Sequence, residues 1–303
     1  MKPLVALLAM SMLVACGSEP PKPDPTVPVR IAVPKGPVGL APVDDGVWVV
    51  SSGDNSITKV SASGRRTEKV DTGPIPLRAT ADGTDVWVTS FEDGTVTKLG
   101  GGSVKVGAGA EGLTSAFGSV WVVAQDRGKL VRVDPSALQV LAKVRVEKGA
   151  RQVVASDSEL FVSNYAQGNV IAIDPATNKV RSSKSVCPGP QGMAVQGNLL
   201  WVACTLGDLV VAVDLKRLKI RRSVSTLGSP DAVRATDSAV YVLLQQGPTL
   251  LKIDPATAEV TSKTSLGNRV DLADQANLDL AITGDTAWVT SFLDNFLIKL
   301  QLP

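Results

Sequence analysis

Apolar and polar positions alternate along this chain in short runs, and the runs recur. An aromatic followed by valine occurs seven times, at Trp48, Trp87, Trp121, Phe161, Trp201, Tyr241 and Trp288. Nine residues after each stands an aliphatic (Ile57, Val96, Leu130, Val170, Val210, Leu250, Leu297). Twelve residues after it stands another (Val60, Leu99, Val133, Ile173, Val213, Ile253, Leu300). The runs are rich in Val, Ile and Thr, whose branched side chains suit a pleated strand. Between them, seven residues after the aromatic, fall Asn55, Gly94, Gly128, Gly168, Asp208, Pro248 and Asn295. These residue types reverse a chain through positive φ or a preset φ. Each copy therefore predicts a hairpin.

After the second run, Asp134-Pro135, Asp174-Pro175 and Asp254-Pro255 open another turn, and a third run follows, such as Val180 to Val186. A Gly-containing segment then leads to a less regular strand before the next aromatic. Four short antiparallel strands in about forty residues is the period of a propeller blade. The predicted fold is all-β: a seven-bladed β-propeller of four-stranded antiparallel blades. We letter the strands a to d from the axis outward, with the aromatic on strand b. Seven of the twelve aromatics in the chain occupy that one position, which makes them core rather than chemistry. Gly100-Gly101-Gly102 shortens the outer hairpin of blade 2. The seventh copy has strands a, b and c but no room for d, so residues 29–33 are expected to complete it and close the ring.

The copy SNYAQGNVIAIDPATNKV, ending at Val180, resembles the YVTN-type β-propeller repeat of bacterial surface proteins, and IDPATAEV at 253–260 is a second match. The resemblance covers residues 29–303. The WD-repeat family matches poorly, because its Gly-His and Trp-Asp dipeptides are missing. The wider superfamily includes the streptogramin B (virginiamycin B) lyases, which also show a VWV-type strand. The resemblance implies for those enzymes a catalytic histidine and a magnesium ion. This chain has no histidine, so the activity does not carry over residue by residue, and fold alone does not give function.

The N-terminus follows a different pattern. Lys2 precedes an apolar run from Leu4 to Val14, of signal-peptide length and too short to span a bilayer. It ends Leu13-Val14-Ala15-Cys16, which resembles the bacterial lipobox. That resemblance implies removal of residues 1–15 and lipidation of Cys16. Residues 17–28, GSEPPKPDPTVP, hold five prolines and read as a stiff tether. The expected organisation is a lipoprotein signal peptide at 1–15, a lipidated Cys and tether at 16–28, and a propeller at 29–303. The expected location is extracytoplasmic, anchored to a bacterial membrane or cell surface.

Composition adds mainly exclusions. The formal net charge is +2, and the cations are scattered, so no nucleic-acid partner is expected. The lack of histidine removes Ser-His-Asp and Cys-His catalysis. No nucleophile elbow, phosphate loop or dinucleotide fingerprint is present. Ten residues before each aromatic, near the start of strand a, lie Val38, Leu77, Glu111, Arg151, Gln191, Asp231 and Leu278. Four of these are polar, with Arg78 and Gln152 one residue further on. They are candidates for a ligand at the channel mouth, or for a rim of ion pairs such as Arg151 with Glu111 or Asp231. Strand alternation lets one of each adjacent pair face the axis, and the sequence leaves open which.

Four residues after the aromatic come Phe91, Tyr165 and Phe292, suited to a contact on the face of the b–c and d–a loops or to capping the blade ends. The long approach to blade 7 carries Asp271, Asp274 and Asp279. Their spacing does not fit a calcium loop, so they are weak metal candidates, and no cofactor is expected. Cys187 and Cys204 fall on one face of blade 5, and a disulfide between them is expected.

The leading functional reading is a surface-tethered, non-enzymatic propeller binding a protein, glycan or small ligand on the d–a/b–c loop face. One alternative is a metal-dependent lyase or hydrolase using Glu111, Arg151 or Asp231. The other is a structural component of the envelope. A closed ring has no edge to cover, so a monomer is expected.

Overall fold

The computed structural model describes residues 27–267 and 278–302. It contains seven four-stranded antiparallel sheets. Blade 4 is typical, with strands Ala150–Ala155, Leu160–Asn164, Asn169–Asp174 and Lys179–Ser185 in spatial order a to d. Blade 2 is the short one: its outer strands are Thr95–Lys98 and Ser103–Lys105 around the Gly100–Gly102 turn. Blade 7 takes Leu280–Thr283, Thr286–Ser291 and Phe296–Gln301 from the end of the chain. Its outer strand is Val29–Ala32, which pairs from Val29 with Lys299 to Ala32 with Phe296. The ring closes as the sequence implied.

The core lies between blades. Every anchor aromatic is buried, and each packs into the next blade. Trp121 of blade 3 shares a cluster with Leu160 and Val162 of blade 4. Trp288 of blade 7 packs on Val47 and Val49 of blade 1, across the seam. Cutting the ring anywhere would expose such a cluster, so hydrophobic burial itself favours closure.

The turns follow local chemistry. The b–c turn residue has φ of +50 at Asn55, +64 at Gly94, +51 at Asp208 and +60 at Asn295. In blade 6 the left-handed position moves to Gly247, beside Pro248, whose ring cannot adopt positive φ. At the Asp-Pro turns, Asp134 Oδ1 accepts the backbone N–H of Ser136 and Ala137, and Asp174 and Asp254 repeat this. In blades 1 to 6 the b–c turn is laced to the d–a loops on either side. Tyr165 N–H donates to Gly149 O at 2.9 Å and Val186 N–H donates to Gly168 O at 2.9 Å, with equivalents around the ring. These loops form one rigid face. The a–b and c–d turns form the opposite face.

Cys187 and Cys204 form a disulfide with Cα atoms 5.8 Å apart. It ties the d–a loop entering blade 5 to the end of strand b of that blade. Such a bond suits an oxidising compartment outside the cytoplasm.

Candidate functional site

Strand alternation fails where the candidate residues sit. At the start of strand a the ladder slips by one: Pro76 pairs with Ser90 but Ala79 with Val88. Pro190 pairs with Cys204 but Met193 with Val202. The same bulge occurs in blades 1 to 6. One extra residue is accommodated, and in blades 5 and 6 the neighbours ten and nine positions before the aromatic both line the axial cavity. Gln191, Asp231 and Leu278 from the first column and Arg78, Gln152 and Asp279 from the second line one axial cavity of about 330 Å³.

These groups are buried within the ring rather than solvated at its rim. Glu111, Gln191, Asp231, Arg78 and Asp279 are all at most 5% exposed. Asp279 holds the centre. Its Oδ1 accepts from Arg234 Nη2 at 2.6 Å and from Leu280 N–H at 2.9 Å. Its Oδ2 accepts from Leu40 N–H at 3.0 Å and faces Arg78 Nη1 at 3.7 Å. Arg78 Nη1 also donates to Val38 O and Leu278 O, at 2.6 and 3.0 Å. Asp231 Oδ2 accepts from Leu278 N–H and from Gln245 Nε2. Burial raises its pKa, against the opposing pull of Arg78 and those two hydrogen bonds.

Arg151 lies over the Tyr165 ring at 4.2 Å and donates to Gln191 Oε1 at 3.3 Å. Glu111 is buried in the same ring, where its carbonyl accepts from Thr89 Oγ1 at 2.8 Å.

Sequence reasoning missed a second column that supports this ring. Two residues after the anchor aromatic stand Thr89, Ser163 and Thr290, in the blades that carry Arg78, Gln152 and Asp279 nine residues before it. Each hydroxyl accepts the backbone N–H of that residue, at 3.1, 3.2 and 2.9 Å. In the other four blades that residue is Gly or Ala and the partner position is Val50, Val123, Ala203 or Leu243. At Gly192 an added Cβ would lie 2.3 Å from Asp231 O, so the backbone itself fills that space. The two columns change together in all seven copies, and comparing copies would have revealed it.

The aromatics on the loop face are half-buried. Phe292 is half-buried against the cores between blades 6 and 7 and between blades 1 and 2, and its ring lies beneath the d–a turn at Gly36. Tyr165 lies in the same way against Gly189, and Phe91 is half-buried. The exposed apolar groups on this face are others. Leu227 is 81% exposed and Leu206 66%, flanking Asp208, whose carbonyl accepts Leu227 N–H. Ile75 and Leu293 are exposed on the same face. Ile75 has φ +48 at the position filled by Gly36, Gly109, Gly149 and Gly189 in other blades, and Leu227 has φ +54. A β-branched residue there is an outlier.

Cys16, Asp271 and Asp274 lie outside the described residues, whereas Asp279 belongs to the axial cluster. Among the described residues no group of three His, Cys, Asp or Glu is placed to hold a metal ion.

No family model matches the chain, and no curated protein matches it. Solved structures do. A streptogramin B lyase structure is 16% identical with TM-score 0.79, covering 91% of this chain and 98% of that one. A catalytically inactive histidine-to-alanine variant of virginiamycin B lyase from Staphylococcus aureus, with quinupristin, is 16% identical with TM-score 0.78, covering 91% and 99%. Hydrazine synthase of Kuenenia stuttgartiensis is 14% identical with TM-score 0.69, covering 94% and 98%. The shared feature is the fold. This chain is a seven-bladed propeller with lyase-like structural neighbours.

Proposed function

We propose that this chain is a non-enzymatic binding propeller, held at a bacterial membrane by a lipid on Cys16, that presents its b–c/d–a loop face to a protein partner. The observation that carries the reading is the exposure of Leu206, Leu227, Ile75 and Leu293 on that one face. Two of them are kept in left-handed backbone that glycine would occupy without strain. Strained, exposed aliphatics have no use in packing and suit a protein contact. Aliphatics rather than exposed aromatics favour protein over glycan.

Three further points support it. The S. aureus lyase variant is inactive once a histidine is replaced, and this chain has no histidine. The axial carboxylates of Asp231 and Asp279 already accept hydrogen bonds from protein groups, which leaves them poorly disposed to act as bases. The outer strand of blade 7 ends at Ala32 beside the loop face, where Val33 N–H donates to Asn295 O. Val29 therefore starts on the opposite face, and a tether joined there directs the loop face away from the membrane.

The test is site-specific photo-crosslinking in cells making the full chain. A crosslinker replacing Leu206 or Leu227 is expected to capture one protein, while one replacing Val180 on an outer strand is not. Failure to capture anything from the first two positions, or equal capture from all three, would remove this reading.

A further inference from the structure

The carboxylate oxygens of Asp279 are taken by Arg234, Leu280 N–H, Leu40 N–H and Arg78. Asp231 Oδ2 is taken by Leu278 N–H and Gln245. Among the described residues, two buried donors on cavity-lining side chains have no acceptor: Arg78 Nε and Gln191 Nε2. The orientation of the Gln191 amide is set independently, because its Oε1 accepts from Arg151 Nη1 at 3.3 Å. With the oxygen held there, the nitrogen faces away, and Gln191 is 2% exposed. Arg78 in blade 2 and Gln191 in blade 5 come from opposite sides of the ring.

Charge points the same way. Two guanidinium groups, Arg78 and Arg234, line the cavity with Asp279, which pairs with both. Burial raises the pKa of Asp231, against the opposing pull of Arg78. Leu113 and Met193 also line the cavity, as do the small side chains Ala81 and Ala235 toward the a–b end of the strands. Its volume, about 330 Å³, lies at the low end of small-molecule sites, about 300–1,000 Å³.

We infer that this cavity is a binding site for a small organic carboxylate, whose oxygens accept from Gln191 Nε2 and Arg78 and whose apolar body lies against Leu113 and Met193. A buried donor left unpaired costs stability, and a carboxylate is the acceptor that meets both donors and the positive charge. None of Leu206, Leu227, Ile75 and Leu293 lines the cavity. The site therefore does not depend on the function proposed above.

The test is calorimetric titration of the full chain in detergent with benzoate and hexanoate, and with benzamide as the neutral counterpart of benzoate. At least one acid is expected to bind saturably, and benzamide roughly tenfold or more weaker than benzoate, as a lost charge-assisted hydrogen bond implies. Gln191→Met is expected to weaken the acid by roughly tenfold. Ala235→Phe, which fills the a–b end, is expected to abolish binding while Tm and the circular dichroism spectrum stay unchanged. No saturable binding of either acid overturns the inference, as does benzamide binding as tightly as benzoate, or a Gln191→Met protein that binds like the parent. Crosslinking from Leu206 and Leu227 reads the loop face alone, so the two proposals fail separately.

Discussion

Arg78 and Asp279 meet across the axis, Nη1 to Oδ2 at 3.7 Å, with blade 1 lying between their two blades. Asp279 also accepts Leu40 N–H of blade 1, and Arg78 donates to Val38 O of the same blade. The seam of the ring is thus fastened at two radii. At the rim, strand Val29–Ala32 completes blade 7. At the axis, a buried ion pair joins blades 7 and 2 over blade 1.

Removing one partner of that pair strands the other in a dry site. Arg78→Met is expected to cost about 3 kcal/mol in urea unfolding, the lower end for breaking a buried pair, since Asp279 keeps Arg234. Arg78→Met combined with Asp279→Asn is expected to cost less than the sum of the single changes. Additive losses would show that the two residues act independently.

The rim is tested by deleting residues 29–33. This leaves strand Phe296–Gln301 as an open edge. Tm is expected to fall substantially and aggregation to rise. An unchanged melt would mean that the axial pair and the core between blades close the ring alone.

The Cys187–Cys204 bond closes a loop of 17 residues in sequence separation. A loop of that size limits its stabilisation to about 3 kcal/mol. Replacing both residues by alanine is expected to lower Tm by the corresponding amount. Alkylation of the native, unreduced protein is expected to label neither residue, and labelling of both would overturn the assignment.

Asp231 gives a pH signature with a definite sign. Burial raises its folded pKa above the ordinary aspartate value of 3.8. The folded state then holds the proton longer than the unfolded chain. Its contribution is present at low pH and is lost as pH rises from 3.8 through the folded value. Asp231→Asn removes that loss, so the variant's stability relative to the parent is expected to increase with pH over that window and then level off. Asp134 and Asp174 act the other way: hydrogen bonds from Ala137 and Ser136, and from Thr177 and Ala176, lower their pKa values. Their contribution is lost as pH falls. Urea titrations of parent and variant from about pH 3 to pH 8 isolate the Asp231 term as a difference.

Ile75 separates strain from packing. Ile75→Gly places at φ +48 the residue that four other blades use. Relief of the left-handed strain, about 1–2 kcal/mol, outweighs the entropy cost of glycine, about 0.5–1 kcal/mol. The variant is therefore expected to be as stable as the parent or slightly more so in urea unfolding, while losing affinity for the partner of the loop face. Clear destabilisation would show that Ile75 serves packing.

The blade count, the anchor aromatics, the turn column, the closing strand and the disulfide were all legible from residue order. They depend on local propensity and on a period repeated seven times, so Phe161 in one copy predicts the place of Trp201 in the next. The axial site was legible only as a set of names. Strict alternation would have sent either Asp231 or its neighbour Ala232 to the axis, and the bulge admits both. The pairing of Arg78 with Asp279 spans 201 positions and exists only because closure brings blade 7 against blade 1. Sequence decided which residues are strands, core and turns, because those depend on neighbours along the chain. Tertiary structure alone decided which charges meet and which donors stay unpaired, because those depend on where the ring brings its blades together.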